Sequence, residues 1–453
     1  MALLVQQTMF ENTDGEPAPI HELSRTNLGT FQDSLRAPIH RWFTYPAGFS
    51  YKAVEETIRL YDMKPGMTIY DPFAGTATTN IVASEQGIHS FGVEAHPFVH
   101  FVGRTKLFWN FTFSDLRIEV DNLIKRIHQS IEADTTTRST KDIFPELVYK
   151  CYSDEKLFQL YHCREIITAL PATPFRDFAK LGLTNLLRSI ADVATGWPYI
   201  APQKARKITK VENIDIAEKL REQLYQMYQD LRYMHTKVDI KGNATLISGD
   251  SRQRQDVIAS SSVDLCFTSP PYLNNYDYSD RTRLEMYFWG EAINWGDITK
   301  KVRSRLIMSA TTQIVRSLYD EMNLLNEDFI ATAPNIFAEL KPKVTEMSRL
   351  RLTKGGKKSY DIMVAGYFND MLNVFRETFR ILKPGSSFLL ILGDSAPYGV
   401  HIPTDVYLGE LGLAVGFARY KIEDLRTRGD KWKDNPQRHK VALKESILTL
   451  EKS

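Results

Sequence analysis

The sequence predicts a doubly wound α/β fold, because short apolar segments of strand length alternate with helical patterns along the chain. The five predicted strands cover residues 67–70, 90–93, 244–248, 263–267 and 387–392. Continuous apolar strands of this length are typical of a parallel sheet that helices cover on both faces. Each strand is followed by acidic, small or hydroxyl residues, which suits the ligand-binding edge of such a sheet.

Two long segments interrupt this alternation. We expect residues 1–110 to hold an N-terminal segment and the first part of the core, residues 111–240 a mainly helical insertion, residues 241–272 a continuation of the core, residues 273–360 a second insertion, and residues 361–453 the C-terminal part of the core. The clearest helical pattern covers residues 361–382 and stops at Lys383-Pro384-Gly385. The length would also permit about three domains.

Composition and charge give no sign of a secreted or membrane protein. The N-terminus lacks the basic region and long apolar core of a signal peptide, and no apolar stretch approaches the ~20 residues that cross a bilayer. The three cysteines, Cys151, Cys163 and Cys266, lack zinc-site or redox-motif spacing. We therefore expect a soluble, cytoplasmic protein. Its net charge is only +2, so any nucleic-acid-binding surface must be local.

A loop rich in small residues follows the first predicted strand. It reads Asp71-Pro72-Phe73-Ala74-Gly75-Thr76-Ala77-Thr78-Thr79, and its small residues allow a ligand to approach the backbone closely. Glu94 ends the next strand, roughly 20 residues on, where an acidic side chain can accept hydrogen bonds from ribose hydroxyls. The loop lacks a Gly-Lys-Ser/Thr ending and the full three-glycine pattern of dinucleotide-binding loops, which favours an adenosine cofactor without a pyrophosphate. The alternative is a strand-to-helix turn without a ligand.

A second motif, Thr268-Ser269-Pro270-Pro271-Tyr272, follows the fourth predicted strand. Two prolines fix φ and remove two backbone donors, so the loop presents acceptors and a rigidly placed ring. Methylation of an aromatic amine needs such acceptors, because its lone pair is delocalised until its protons are oriented. The Ser269 hydroxyl and the Pro270 carbonyl can accept those protons, and Tyr272 can stack on an extruded base. The alternative is a rigid turn that packs an aromatic ring against the sheet.

The two motifs together resemble those of the prokaryotic DNA amino-methyltransferase family, whose members make N4-methylcytosine or N6-methyladenine. The resemblance implies a Rossmann-like class I methyltransferase sheet with helical insertions. It also implies S-adenosyl-L-methionine (SAM) as the cofactor bound by the first loop, and a target amine held by the second loop. The glycine loop comes first here, as in the alpha-type arrangement, although Ser-Pro-Pro-Tyr is more usual in the opposite order. Ala77 stands where the family usually has glycine.

The same resemblance gives the expected site residues. Residues 40–50 are similar to the segment that closes over the methionine end of the cofactor, and Gly249-Asp250 to the strand end beside the adenine ring. The expected catalytic residues are Ser269, Pro270, Pro271 and Tyr272. The expected cofactor-binding residues are Trp42, Phe49, Ser50, Asp71, Pro72, Phe73, Ala74, Gly75, Thr76, Thr78, Glu94, Ala95, Asp250, Ser251 and Thr268. No metal is expected, since His96 and His100 have no third ligand near them in the sequence.

Double-stranded DNA is the expected partner, and clustered cations are candidates for contact with its phosphates. The DNA-binding candidates are Asn275, Tyr276, Arg281, Lys341, Lys343, Arg349, Arg351, Lys354, Lys357 and Lys358. Residues 341–358 contain only one acid, Glu346, and the alternative for them is an exposed, solvated loop. Lys300, Lys301, Arg303 and Arg305 form a shorter basic group, and residues 426–438 are a further candidate border of the DNA cleft.

Serine before Pro-Pro is more typical of members of this family that act on cytosine N4, so the resemblance implies cytosine N4 as the acceptor, with adenine N6 as the alternative. The resemblance also suggests a restriction-modification or defence role beside a separate restriction endonuclease. One alternative is an RNA base amino-methyltransferase of related fold. The other is a DNA-binding protein without enzymatic activity, for which Ala77 is the only hint.

Overall fold

A seven-stranded β-sheet forms the centre of the protein. A computed structural model describes residues 33–45, 48–134, 142–195, 200–205, 214–238, 241–274, 276–353, 355–428 and 441–453. The strands are β1 (Thr68–Asp71), β2 (His89–Glu94), β5 (Ala244–Ser248), β6 (Val263–Thr268), β7 (Leu382–Gly393), β8 (Arg419–Arg428) and β9 (Leu443–Glu451), while β3 (Val193–Ala194) and β4 (Ala201–Ala205) form a separate hairpin. The order in the sheet is β5-β2-β1-β6-β7-β9-β8. The first five strands in this order, β5, β2, β1, β6 and β7, are parallel to one another, and β9 is antiparallel to both β7 and β8.

Helices cover both faces of this sheet. The helices of the described residues are α1 (Tyr51–Leu60), α2 (Thr78–Glu85), α3 (Pro97–Leu107), α4 (Phe113–Ala133), α5 (Glu146–Tyr149), α6 (Asp154–Thr168), α7 (Pro174–Ile190), α8 (Ile216–Lys237), α9 (Tyr278–Arg281), α10 (Arg283–Phe288), α11 (Trp295–Lys301), α12 (Glu327–Thr332), α13 (Pro334–Thr353), α14 (Tyr360–Ile381) and α15 (Thr404–Val415). In β6, Leu265 and Phe267 pack with α1 and α2, whereas Cys266 packs with α14 and α15. This alternation buries both faces, which explains the continuous apolar strands and confirms the predicted fold class.

The predicted strands agree with the observed ones except at the start of β7. The sequence predicts that this strand begins at Ser387, after the stop at Lys383-Pro384-Gly385. In the structure β7 already begins at Leu382, which pairs with Val263 across an irregularity in the register. Gly385 has a φ of +79°, a left-handed conformation that glycine adopts without steric cost. Lys383-Pro384-Gly385, which ends the helical pattern of α14, is therefore also part of strand β7.

The segment between β2 and β5 adds a helical layer beside the sheet. Helices α4, α6, α7 and α8 pack together with α3 in one apolar cluster. No helix within the ranges described above is long and apolar enough to span a membrane.

A buried carboxylate joins this helical layer to the N-terminal segment. Asp230 on α8 is 2% exposed. It accepts hydrogen bonds from the backbone N–H of Ile39 (3.1 Å), the indole N–H of Trp42 (3.0 Å) and the guanidinium of Arg41 (Nε, 3.0 Å). On the other side, the buried Lys106 amine of α3 donates to the carbonyl of His40 (2.9 Å), and burial lowers the pKa of Lys106 to about 7. The helical layer therefore holds residues 39–43 in place.

We expect Asp230→Ala to lower the free energy of unfolding by about 3 kcal/mol, because it leaves a half-buried guanidinium, a buried indole N–H and a backbone N–H without their acceptor. Urea titration of the cofactor-free protein measures this change. Glu222→Ala on the same helix is the matched control, since it removes only an exposed ion pair with Lys219 and should cost less than about 0.5 kcal/mol. Equal effects of the two substitutions would contradict the anchoring role.

Candidate active site

A cavity lies at the carboxyl edge of the parallel strands. Strand β2, which follows β1 in the chain, lies on one side of β1, and β6 lies on the other side. The order of the strands therefore reverses at β1. Ligands of open α/β sheets bind at such a reversal. The cavity has a volume of about 860 Å³ with its open mouth included. Its walls include residues 72–76 after β1, residues 93–96 at the end of β2, Asp250 and Ser251 after β5, and Ser269 and Pro271 after β6.

The glycine loop is supported from behind by Asp71. This carboxylate is fully buried and accepts hydrogen bonds from the hydroxyls of Thr268 (2.6 Å) and Thr79 (2.7 Å) and from the backbone N–H of Phe73 (3.0 Å). Burial raises the pKa of Asp71 to about 6. Asp71 is not among the residues that line the cavity. It therefore holds the loop, and ties the end of β1 to the end of β6, from outside the cavity.

The loop reaches α2 through two left-handed residues. Gly75 has a φ of +55° and Ala77, at the N-cap of α2, a φ of +67°. A non-glycine residue pays roughly 1–2 kcal/mol for this conformation, which explains why glycine suits the position of Ala77. The fully buried alanine nevertheless adopts the geometry, and the loop bends as a glycine would bend it.

Glu94 lines the cavity at the end of β2 and contacts the glycine loop. Its carboxylate accepts hydrogen bonds from the backbone N–H of His96 (2.7 Å) and from those of Gly75 and Ala95. Burial raises the pKa of Glu94 to about 8. The neighbouring His96 is also buried, which lowers its pKa to about 3. Its Nδ1 accepts the N–H of Phe98 (3.2 Å), so His96 is neutral and acts as the cap of α3.

The second motif borders the same cavity. Ser269 and Pro271 line it, while the buried Pro270 and half-buried Tyr272 are not among the lining residues. The Tyr272 hydroxyl donates a hydrogen bond to Oε1 of Glu445 on β9 (2.9 Å). The guanidinium of Arg428 lies 5.0 Å from the centre of the Tyr272 ring. The serine therefore faces the cavity and the tyrosine is fixed behind it by β8 and β9.

Comparisons with known proteins agree with this arrangement. The N6_N4_Mtase family model, described as DNA methylase, matches residues 13–101. The type II methyltransferase M.BsoBI of Geobacillus stearothermophilus is 25% identical over 95% of this chain and 89% of its own length. M.AvaI of Nostoc is 24% identical over 90% and 85%, and M.MvaI of Kocuria varians is 19% identical over 88% and 85%. The chain belongs to the prokaryotic DNA amino-methyltransferase family.

Most of the predicted cofactor-binding residues of this methyltransferase line the cavity. These are Phe49, Pro72, Phe73, Ala74, Gly75, Thr76, Thr78, Glu94, Ala95, Asp250 and Ser251. The structure does not bring Trp42, Ser50, Asp71 and Thr268 to it, and Asp71 lies behind the glycine loop. Trp42 is buried with its N–H on Asp230, and Ser50 caps α1 by accepting the N–H of Lys52. Thr268 is fully buried with its hydroxyl on Asp71. Their side chains are used for folding, so their prediction as ligands is not supported.

A further part of the wall was not predicted to bind the cofactor. It consists of Tyr45, Gly48, Val93, His96, Tyr278, Arg305, Leu306, Ile307 and Ser309. Tyr278 and the last four come from the second insertion, residues 273–360. The backbone N–H of Asn274 donates to the carbonyl of Ser309 (2.9 Å), which brings this segment beside the second motif. No local signal marks these residues. Gly48 and Tyr45 flank the predicted Phe49 closely enough that the resemblance of residues 40–50 could have included them.

One predicted DNA contact, Arg281, is buried, and two others, Arg303 and Tyr276, are half-buried. Arg281 is 5% exposed, because its guanidinium bonds to Glu285 (3.2 Å) and to the carbonyl of Thr44 (2.7 Å), so its prediction as a DNA contact was wrong. Arg303 is likewise engaged with Asp277 (Nε, 2.8 Å). Tyr276 is half-buried, 4.9 Å from the ring of Tyr278. Asn275 and Lys354 lie outside the described residues.

The basic stretch 341–358 is largely helical, since α13 extends to Thr353. Lys343 is half-buried and donates to the carbonyl of His401 (2.9 Å), and Arg351 donates to the carbonyl of Lys357 (3.1 Å). Arg349 is paired with Glu346. The exposed lysines of this stretch include Lys341, Lys357 and Lys358. These three lysines, and the exposed Arg349 in its ion pair with Glu346, are accessible to phosphates.

We expect the affinity for SAM to depend on the ionisation of Glu94. A ribose that donates hydrogen bonds favours the carboxylate, whereas burial keeps Glu94 protonated below pH 8 in the free protein. Affinity should therefore rise about tenfold from pH 6 to pH 7 and level off above about pH 8. Calorimetric titration at each pH measures this. Glu94→Gln should bind weakly with little pH dependence, and an unchanged slope in that variant would assign the titration to another group.

Proposed function

We propose that this DNA methyltransferase transfers the methyl group of SAM to the N4 amine of a cytosine that is flipped out of double-stranded DNA. The observation that carries the proposal is the shared cavity. The glycine loop and Glu94 form one side of it, and Ser269 forms another. A cofactor and an amine held there would be close enough for direct transfer.

The cofactor side fits an adenosine-containing ligand. Glu94 has the acceptor atoms for ribose hydroxyls. Phe49 and Phe73 supply apolar surface, and Gly75 allows close approach of the backbone. The Asp250 carboxylate is already paired with Arg252, whose Nη2 lies 2.7 Å from Oδ2. Asp250 would therefore border the ligand as a neutralised pair and not as a free charge.

The amine side supplies acceptors. SAM carries an electrophilic methyl group on a sulfonium. The Ser269 hydroxyl, which lines the cavity, would accept a proton of the amine and so direct its lone pair toward that methyl. Alignment of the two reacting atoms then supplies much of the rate acceleration. Direct displacement needs no covalent intermediate with the protein.

Serine at position 269 supports cytosine N4 as the acceptor, with adenine N6 as the alternative. The relatives are named type II methyltransferases, which supports a role as the modification enzyme beside a separate restriction endonuclease. Lys341, Lys357 and Lys358 are exposed and available to phosphates. Each phosphate contact by such a lysine would add to the salt dependence of DNA binding.

The product identifies the reaction. The purified protein is incubated with methyl-labelled SAM and unmodified genomic DNA, the DNA is digested, and its nucleosides are identified by mass. We expect N4-methylcytosine. N6-methyladenine would overturn the choice of base and keep the enzyme class. Label in RNA alone would overturn DNA as the substrate.

Ser269→Ala tests the residue that carries the proposal. It should slow methyl transfer about 100-fold, the scale of one preorganised hydrogen bond in a transition state. SAM affinity should stay within about twofold, since the glycine loop and Glu94 are unchanged. Ser317→Ala, on the exposed turn Arg316–Leu318, is the matched control. Transfer by Ser269→Ala at the rate of the control would show that Ser269 does not hold the amine.

A further inference from the structure

A buried carboxylate lies behind the Ser-Pro-Pro-Tyr loop. Glu445 on β9 is 2% exposed, and its Oε1 accepts the Tyr272 hydroxyl at 2.9 Å. Its Oε2 lies 2.7 Å from Nε of Arg426, which faces it across the β8–β9 pair. Among the described residues this oxygen has no partner with hydrogen-bond geometry. Oε1 of Glu445 thus accepts the hydrogen bond of Tyr272, whereas Oε2 is held only by its ion pair with Arg426.

Two arginines lie close to Glu445 and Tyr272. Arg426 is in direct contact with it, and Arg428 lies over the ring of Tyr272 and donates to the carbonyl of Asp394 (3.2 Å). A buried carboxylate without such a partner would be costly. In the hydrogen bond between the two residues, the Tyr272 hydroxyl is the donor and the Glu445 carboxylate is the acceptor.

The chain of hydrogen bonds from Glu445 through Tyr272 extends to Ser269. The pKa of Tyr272 is raised well above its usual value by burial and by the charge of Glu445, and a hydrogen bond from the Ser269 side chain acts in the opposite direction. Since Tyr272 donates to Glu445, its oxygen is free to accept the Ser269 proton. Ser269 Oγ then keeps its lone pairs for a donor in the cavity that it lines.

We propose that Glu445 makes Ser269 an acceptor for the target amine and is the final acceptor of the proton that the amine loses. The inference rests on the proposed function. As the new N–C bond forms, the S–C bond of SAM breaks and the positive charge passes from sulfur to nitrogen. The amine proton moves to Ser269, the Ser269 proton to Tyr272 and the Tyr272 proton to Glu445. The base and S-adenosylhomocysteine end neutral, and Glu445 ends protonated.

The substitution Glu445→Gln tests this role, because it keeps the size of the side chain but removes its charge and adds a donor. We expect the single-turnover rate of methyl transfer to fall at least tenfold, with SAM affinity changed less than twofold. Glu451→Gln is the matched control, since it lies on the same strand and forms an exposed ion pair with Arg419. It should transfer methyl groups at the wild-type rate.

Tyr272→Phe separates the hydrogen-bond chain from a merely structural role. It removes only the hydroxyl and leaves the pair of Glu445 and Arg426 intact, so it remains informative if Glu445→Gln folds poorly. We expect a rate loss similar to that of Glu445→Gln, and no further loss in the double variant. Independent losses that multiply, or a Tyr272→Phe enzyme with the wild-type rate, would overturn the inference. A wild-type enzyme that methylates no DNA would instead overturn the proposed function.

Discussion

The fully buried carboxylate of Asp71 is the group on which the geometry of the site depends. It accepts a hydrogen bond from Thr268, 197 positions away in the sequence, and others from the first turn of α2 and from the glycine loop. A buried acceptor loses free energy if any of its donors is displaced. The cofactor loop and the amine loop are therefore held at a fixed separation, which direct transfer between two bound molecules requires.

The chemistry at the strand ends could be predicted from the sequence because parallel strands finish at one edge. Gly75, Glu94 and Ser269 each follow or end an apolar segment, and the sheet brings them to one cavity. Side-chain direction in irregular segments could not be predicted in the same way. Trp42 points into the helical layer, toward an acceptor on a helix that the sequence did not link to it. Likewise, Arg281 is buried because Glu285, one turn away, and the carbonyl of Thr44 bind it.

The contributions of distant segments to the site were the hardest to predict from the sequence. The second insertion supplies residues 305–307 and Ser309 to the cavity wall, and no periodicity or motif marks them. The sequence predicted that residues 361–453 form the C-terminal part of the core, but not that Glu445 would meet Tyr272. That contact depends on β9 lying beside β7, with Gly393 opposite Glu445. The order of strands in the sheet, and not any local pattern, thus assembles the region behind the amine loop.

The central claim is that one cavity at the carboxyl edge of the sheet holds the cofactor beside Ser269. Ultraviolet cross-linking of methyl-labelled SAM, followed by peptide mapping, tests it most directly. The account predicts label on peptides that contain Tyr45, Phe49 or Phe73, the aromatic residues of the cavity wall, and loss of that label when excess S-adenosylhomocysteine competes. Label confined to helices α4–α8 would contradict the account, because these helices lie in the layer beside the sheet.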